Sequence, residues 1–323
     1  MSDLWLKAIT CYNLTNFQCA SAEALAEMLE AQRFQPCSSL ERERHGFVPP
    51  FEQESLVRKV KDVYWLQVMS EVKPVPGSAV KRLLRERIEK IQQEEGRKVG
   101  RKEQKELKES VIDELVANAT PVQSSLRIML DPTAGIMVIG STSNKKVDLA
   151  LKLMLRCIDD LPVTNMQFAK TIQGQMCQLL LDEETSEFVT DSSLTLKGPG
   201  SPAATVSFSK HSLAGPEVIT HLNAGLRPVS LELGWKGRLS FVLTDKFAIR
   251  KLNFLELVTS SLEGSEPEDP QELVDAMLLI QNGELREMVS ALTEWLGGPA
   301  TEESKAAEAA AQAAAAAPAP AAA

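Results

Sequence analysis

Aromatic residues make up 5% of this 323-residue chain, with two tyrosines and four tryptophans. Binding of single strands by base stacking needs aromatic platforms, so that mode is disfavoured. There are three histidines, His45, His211 and His221, too far apart in sequence to form a metal motif. The five cysteines (Cys11, Cys19, Cys37, Cys157, Cys177) are odd in number and contain no C-x-x-C pair. They are expected to be free or buried thiols of a reducing cytoplasm rather than a disulfide framework or a zinc site. No window approaches 18 consecutive apolar residues, and the N-terminus lacks a basic leader, so neither a membrane span nor a signal peptide is expected. Helix-turn-helix, zinc-finger and aromatic RNP patterns are missing as well, which weighs against sequence-reading of nucleic acid.

Signatures of catalysis are equally sparse. The run Gly140-Ser-Thr-Ser-Asn-Lys-Lys146 lacks the Gly-Lys-Ser/Thr ending of a phosphate loop and follows a predicted β-hairpin. It reads as a turn before a helix capped by Ser143 or Asn144. Asp159-Asp160 and Glu183-Glu184 are the acidic pairs of the central region that a Mg²⁺-dependent nuclease would use, but no partner motif accompanies either. A binding protein with no cofactor and no metal is favoured over an enzyme.

What the chain does have is segregated charge. Its formal net charge is −9, from 35 Lys/Arg against 44 Asp/Glu. Between Lys81 and Lys108 stand eleven Lys/Arg and six Glu, so this segment is +5 and the remainder −14. A basic element on an acidic body implies a directed positive surface. Val80, Leu83, Leu84, Ile88 and Ile91 recur at helical spacing, as do Leu107, Val111, Ile112, Leu115 and Val116. Gly96 and Gly100 separate the two sets, so the stretch predicts an α-hairpin with a charged tip. Two readings compete for it: a solvated helix pair laced with i,i+4 ion pairs, and a phosphate-tracking surface. The run Arg97, Lys98, Arg101, Lys102, Lys105, answered by one Glu, favours the second. On that reading the DNA-binding residues are Lys81, Arg82, Arg85, Lys90, Arg97, Lys98, Arg101, Lys102, Lys105 and Lys108.

Around the hairpin the pattern predicts an α+β fold with mainly antiparallel sheets and flanking helices, because strands cluster instead of alternating with long helices. Expected elements are a strand from Leu4 to Tyr12, a helix from Ala22 to Gln32 capped by Ser21, an irregular stretch from Phe34 to Pro50, and a strand from Asp62 to Val72. Beyond the hairpin come a β-hairpin (124–130 and 136–139), a helix (146–158) and a strand or connector at 161–164. A helix at 171–181 follows, with strands at 188–196, 204–208, 226–233, 238–243 and 247–254. Two helices, 273–280 and 285–296, are expected to part at Asn282-Gly283. The portions are then 1–76, 77–117 (the hairpin), 118–170, 171–298, and an Ala/Pro tail at 299–323 expected to be disordered.

Several strings resemble the RdgC family of bacterial recombination-associated proteins. They are Leu4-Trp-Leu-Lys-Ala8, Gly46-Phe-Val-Pro-Pro50, Val72-Lys-Pro-Val-Pro-Gly-Ser-Ala-Val-Lys81, Ile88-Glu-Lys-Ile91 with Lys98 through Glu114, and Ala134-Gly-Ile-Met-Val138. Leu161-Pro-Val163, Ile219-Thr-His-Leu-Asn-Ala-Gly225, Arg250-Lys-Leu-Asn-Phe254 and Gly283-Glu-Leu285 continue the family's order. The resemblance implies a cytoplasmic, nucleoid-associated homodimer that closes into a ring around double-stranded DNA, without strong sequence preference, and restrains RecA. It implies no chemistry. Lys81, Lys90, Lys98, Lys102, Lys105 and Lys108 fall in the hairpin region that looks like the family's, and Lys210-His211 where the family carries a Lys-Gln-type polar tip. Thr120, Pro121 and Val122 stand where relatives often have a Pro-Arg-Ala-Phe turn; with Lys210 and His211 they are the expected ring-closure contacts. Residues 173–196 are also shorter than the family pattern. The alternatives are an interaction protein that docks an acidic partner such as RecA through the hairpin, and, more distantly, a Mg²⁺-dependent nuclease.

Overall fold

The computed structural model describes residues 4–181, 187–200, 202–260 and 269–301. Its strands are β1 (Ile9–Leu14), β2 (Glu43–Val48), β3 (Val57–Val60), β4 (Val63–Val72), β5 (Val122–Asp131), β6 (Ile136–Ile139), β7 (Val163–Asn165), β8 (Phe188–Lys197), β9 (Thr205–Phe208), β10 (Arg227–Trp235), β11 (Leu239–Thr244) and β12 (Ala248–Phe254). Among the described residues they form one sheet, in the order β2-β4-β5-β6-β1-β12-β11-β10-β8-β9, with β3 added to β4 and β7 to β1. Every pairing between these strands is antiparallel. The expected α+β class with antiparallel pairing is therefore observed, as a single continuous sheet.

Two cores lie on opposite faces of it. Helices α1 (Ala22–Glu30) and α4 (Asn144–Cys157) cover one face of the first half, burying Leu25, Leu29, Val147, Leu153 and Met154 against Tyr64, Leu66, Val68 and Ile128. The other face runs the length of the sheet, and α5 (Ile172–Leu181), α6 (Pro216–Asn223), the short α7 (Glu256–Thr259) and α8 (Pro270–Trp295) pack on it. β4 is consequently buried on both sides, Trp65 toward one core and Tyr64 and Leu66 toward the other. Its first four residues, Val63 to Leu66, are apolar without interruption, as a doubly covered strand requires. In the second half Leu194, Leu196, Leu231, Leu233, Phe241, Leu243 and Ile249 point into the long core. Their neighbours on the reverse face are mixed, with Thr195, Ser230, Glu232, Ser240 and Arg250 beside the apolar Val242 and Ala248.

Four expectations are corrected. The first strand starts at Ile9, not Leu4: Leu6 N–H donates to the Gln281 side-chain oxygen at 2.7 Å and Trp5 lies against Phe254, so tertiary contacts hold these residues off the ladder. The stretch after Phe34 contains β2, whose charged ERHGFV sequence is that of an edge strand. Within it Gly46 has no alternative, since a Cβ there would sit 2.5 Å from the Phe34 Cα. Asn282-Gly283 does not break the last helix, and α8 runs unbroken for 26 residues. A mid-helix glycine costs about 1 kcal/mol, which burial of Met277, Leu278, Leu285, Met288, Val289 and Leu292 readily outweighs. Asn282 meanwhile accepts the Trp65 indole hydrogen at 3.0 Å. Finally, the fold extends past residue 298: Phe168 and Pro299 form a bridge, and Ala300 N–H donates to the Gln167 carbonyl at 2.9 Å.

α8 ties the sheet together through polar contacts as well. Arg58 of β3 reaches Asp275 and Gln271, while Arg286 bonds the wholly buried Asp131 at the end of β5. Arg238 in the β10–β11 turn pairs with Glu284 and Glu287. One helix thus clamps strands from both halves.

Candidate nucleic-acid interface

β4 and β5 pair along their whole length, from Tyr64↔Leu130 to Val72↔Val122. Antiparallel neighbours of this kind need only a tight turn. Here the connection is instead α2 (Gly77–Glu95) and α3 (Arg101–Asn118). Pro74 and Pro76 stop β4, α2 rises about 28 Å at 1.5 Å per residue, and the chain returns along α3 into β5. The two helices pack against each other and form an arm between the two strands. Its seam is lined by Val80, Val111 and Val116, which are buried, and by Leu84, Ile88, Ile91, Leu107 and Leu115, which are half-buried. At the tip Gly96 adopts φ 65°, the left-handed turn that ends α2. Val99 is buried there, and Gln104 closes the loop by donating to the Val99 carbonyl at 3.2 Å.

The structure sorts the arm's cations into two sets. Arg97 is held: its guanidinium makes two 2.7 Å bonds to Glu103 and one of 2.6 Å to Glu95. Glu103 most, then Glu95, raises the Arg97 pKa above its ordinary value, and Arg97 in turn keeps the Glu103 carboxyl below the usual carboxylate range. Arg87 is likewise engaged, bonding Glu114 and donating to Ser110 at 3.0 Å, and so locks α2 to α3. Arg82, Lys90 and Lys105 make loose i,i+4 contacts of 3.7, 3.8 and 3.9 Å, of the exposed kind that contributes little. Lys81, Arg85, Lys98, Arg101, Lys102 and Lys108 are exposed and have no ion-pair partner among the described residues. Arg101, Lys105 and Lys108 fall at i, i+4 and i+7, one stripe along α3.

The whole arm is less positive than its central run. From Gly77 to Asn118 eleven Lys/Arg face nine Asp/Glu, because Glu109, Asp113 and Glu114 lie in the last turns of α3. That leaves +2, concentrated toward the tip. The Arg87–Ser110–Glu114 clamp had no local signal in the sequence, since its members lie 23 and 27 residues apart.

The other expected contacts lie far apart. Thr120 and Pro121 form the root of the arm, and Val122, 59% exposed, opens β5. Lys210 and His211 follow β9, an edge strand that lies seven positions from β5 along the sheet. Lys210 is in the left-handed region at φ 54°; the His211 ring contacts Phe208 and its Nδ1 lies 2.7 Å from the Ser212 carbonyl oxygen. The two groups do not meet within one chain.

Of the acidic pairs, Asp159 and Asp160 are both exposed after α4, and Glu183-Glu184 lies outside the described residues. Among the described residues no three His, Cys, Asp or Glu gather as a metal ion would need, and no helix is long and apolar enough to cross a membrane.

Comparison with known proteins gives a consistent result. A family model described as "Putative exonuclease, RdgC" matches residues 4–299. A "Recombination-associated protein RdgC" from Herminiimonas arsenicoxydans is 31% identical over 296 residues, covering 91% of this chain and 98% of the relative. Proteins of the same name from Janthinobacterium sp. (strain Marseille) and Paraburkholderia phymatum are 31% and 29% identical, covering 91% and 94% of this chain and 98% and 100% of the relatives.

Proposed function

The chain belongs to the RdgC family of recombination-associated proteins, and on that premise we propose that it binds double-stranded DNA without strong sequence preference, as a homodimer that encloses the duplex. Through that occupancy it modulates RecA-dependent recombination at the nucleoid, with no chemistry of its own. The observation that carries the reading is the arm, which presents six cations with no carboxylate partner among the described residues on an acidic chain. Like charges on the body repel phosphate while the arm attracts it, so binding is directed to one surface. Enclosure by two copies accounts for ring-closure candidates that one chain holds at opposite ends of its sheet.

Two further readings have an observation behind them. The arm's interspersed carboxylates suit a protein partner such as RecA, docked directly. The family description names an exonuclease, which a Mg²⁺-dependent activity would satisfy. One gel-shift series separates the three, using circular and linear plasmid at two salt concentrations with and without EDTA. Equal, salt-sensitive retention of unrelated duplexes is expected. A preference of more than about a hundredfold for one sequence (2.7 kcal/mol) overturns the sequence-independent reading. Binding only in the presence of RecA overturns direct DNA binding, and EDTA-sensitive shortening of linear DNA overturns the non-catalytic assignment.

A further inference from the structure

Among the described residues, the reverse face of the second half of the sheet has no counterpart to α1 and α4. Where that helical layer ends, the step from covered to open sheet leaves a cleft of about 720 Å³. Its walls are Thr10, Cys11 and Tyr12 of β1, Asn144 at the start of α4, Asn165 at the end of β7, and residues of β8, β10, β11 and β12. Because Leu196 and Ile249 point into the core, strand alternation sends Lys197 and Arg250 to this face. Lys246, in the β11–β12 turn, supplies a third cation. All three are exposed, and none forms an ion pair among the described residues. Among the described residues, Asp245 is the one carboxylate in the lining.

The backbone that places these cations departs from regular strand. The β11–β12 register slips between Ser240↔Asn253 and Val242↔Arg250, with Lys251 at φ 49°. Phe247, directly after Lys246, also sits at φ 56°. A bulge re-aims the side chains around it, and a bulky residue at positive φ is an outlier that the surroundings must enforce. Asn144 and Asn165 add amide donors at the rim. Three cations that line one cleft on a chain of net charge −9, with two amide side chains in the same lining, suit a compact anion. The volume suits a ligand the size of one nucleotide, not the cross-section of a duplex.

We propose that this cleft binds the phosphate of a nucleotide-sized group, presented by a free nucleotide or by the end of a DNA strand. The site is separate from the arm and does not rest on the function proposed above. The test is calorimetric titration of the full chain at low salt with dADP, and in parallel with short duplexes carrying 5′-phosphate or 5′-hydroxyl ends. The comparison variants are Lys197→Ala/Arg250→Ala and Lys98→Ala/Lys102→Ala. Saturable dADP binding that weakens at least about tenfold in the cleft variant and survives in the arm variant is expected, since losing one charged hydrogen bond accounts for roughly that factor. A silent dADP titration with a 5′-phosphate preference that the cleft variant abolishes assigns the same site to strand ends. Absence of both responses, or dADP binding unchanged in the cleft variant, overturns the proposal. Loss of duplex binding in the arm variant alone leaves it standing.

Discussion

The division of the arm's cations into held and free sets predicts which substitutions alter DNA binding and which do not. Lys98, Arg101, Lys102 and Lys108 are exposed with no ion-pair partner among the described residues, whereas Arg97 is occupied by Glu103 and Glu95. Each phosphate neutralised contributes about 0.9 to the slope of log affinity against log salt. If the six free cations each meet one phosphate, the slope is about −5.4, and affinity falls roughly a thousandfold between 50 and 200 mM salt. Replacing the four by Ala flattens the slope by about 3.6, so that the same change in salt costs only about tenfold. Arg97→Ala, by contrast, changes the slope by less than about one, because that guanidinium is already neutralised, and it loosens the tip. The assay is fluorescence anisotropy on a 30-base-pair duplex across that salt range, with melting temperatures as a control. Substitutions at such exposed positions shift stability by no more than about 0.5 kcal/mol. An unchanged slope in the fourfold variant, with its melting temperature intact, refutes the phosphate-tracking role. A slope loss in Arg97→Ala equal to that of the fourfold variant refutes the division.

Three other outcomes follow from the fold. Gly283→Ala raises the melting temperature, by about 0.5–1 kcal/mol of stability, because an added Cβ meets nothing within 4 Å on an unbroken helix; a drop would restore the expected break. Removing residues 302–323 leaves thermal denaturation unchanged, whereas truncation before Pro299 costs about 1–2 kcal/mol through loss of the Phe168 bridge and the Ala300 hydrogen bond. Thr120→Phe slows escape of the protein from closed circular plasmid after a salt jump, since an aromatic anchor at a desolvated contact contributes about 2–4 kcal/mol; unchanged release excludes this loop as the gate.

The sequence was most legible where one physical signal acted alone. β8, β10, β11 and β12 carry strand-forming residues bounded by turn signals, and each lies within two residues of its expected position. The arm was equally plain, since two amphipathic stripes separated by Gly96 and Gly100 have no other use. What escaped depended on distant partners. β2 resembles a loop until Gly46 is seen packed under Phe34. Asn282-Gly283 resembles a turn until Trp65, 217 residues away in sequence, donates to the asparagine. Charge was the least legible of all: counting residues could not separate Arg97, whose bonds to Glu95 and Glu103 hold it in place, from Lys98 beside it, which is free of ion pairs.

That last difference bears on how an acidic protein can hold DNA at all. A uniformly spread charge of −9 would repel a duplex, and the arm as a whole is only +2. Net charge therefore cannot be the source of attraction. At an ionic strength of about 0.15 M the screening length is near 8 Å, so a phosphate at the arm's tip feels Lys98, Arg101 and Lys102 and is shielded from Glu109, Asp113 and Glu114 at the root. The ion pairs at Arg97 and Arg87 stiffen the arm, and the free cations need that stiffness to act together. Their contribution should accordingly depend on position more than on number. Moving a lysine from the tip to the root, as in Lys98→Ala/Ala117→Lys, preserves the net charge of the arm. It should still weaken duplex binding nearly as much as Lys98→Ala alone. Equal affinity of the transposed variant and the wild type would mean that the duplex responds to the arm's total charge, and the tip would have no special role.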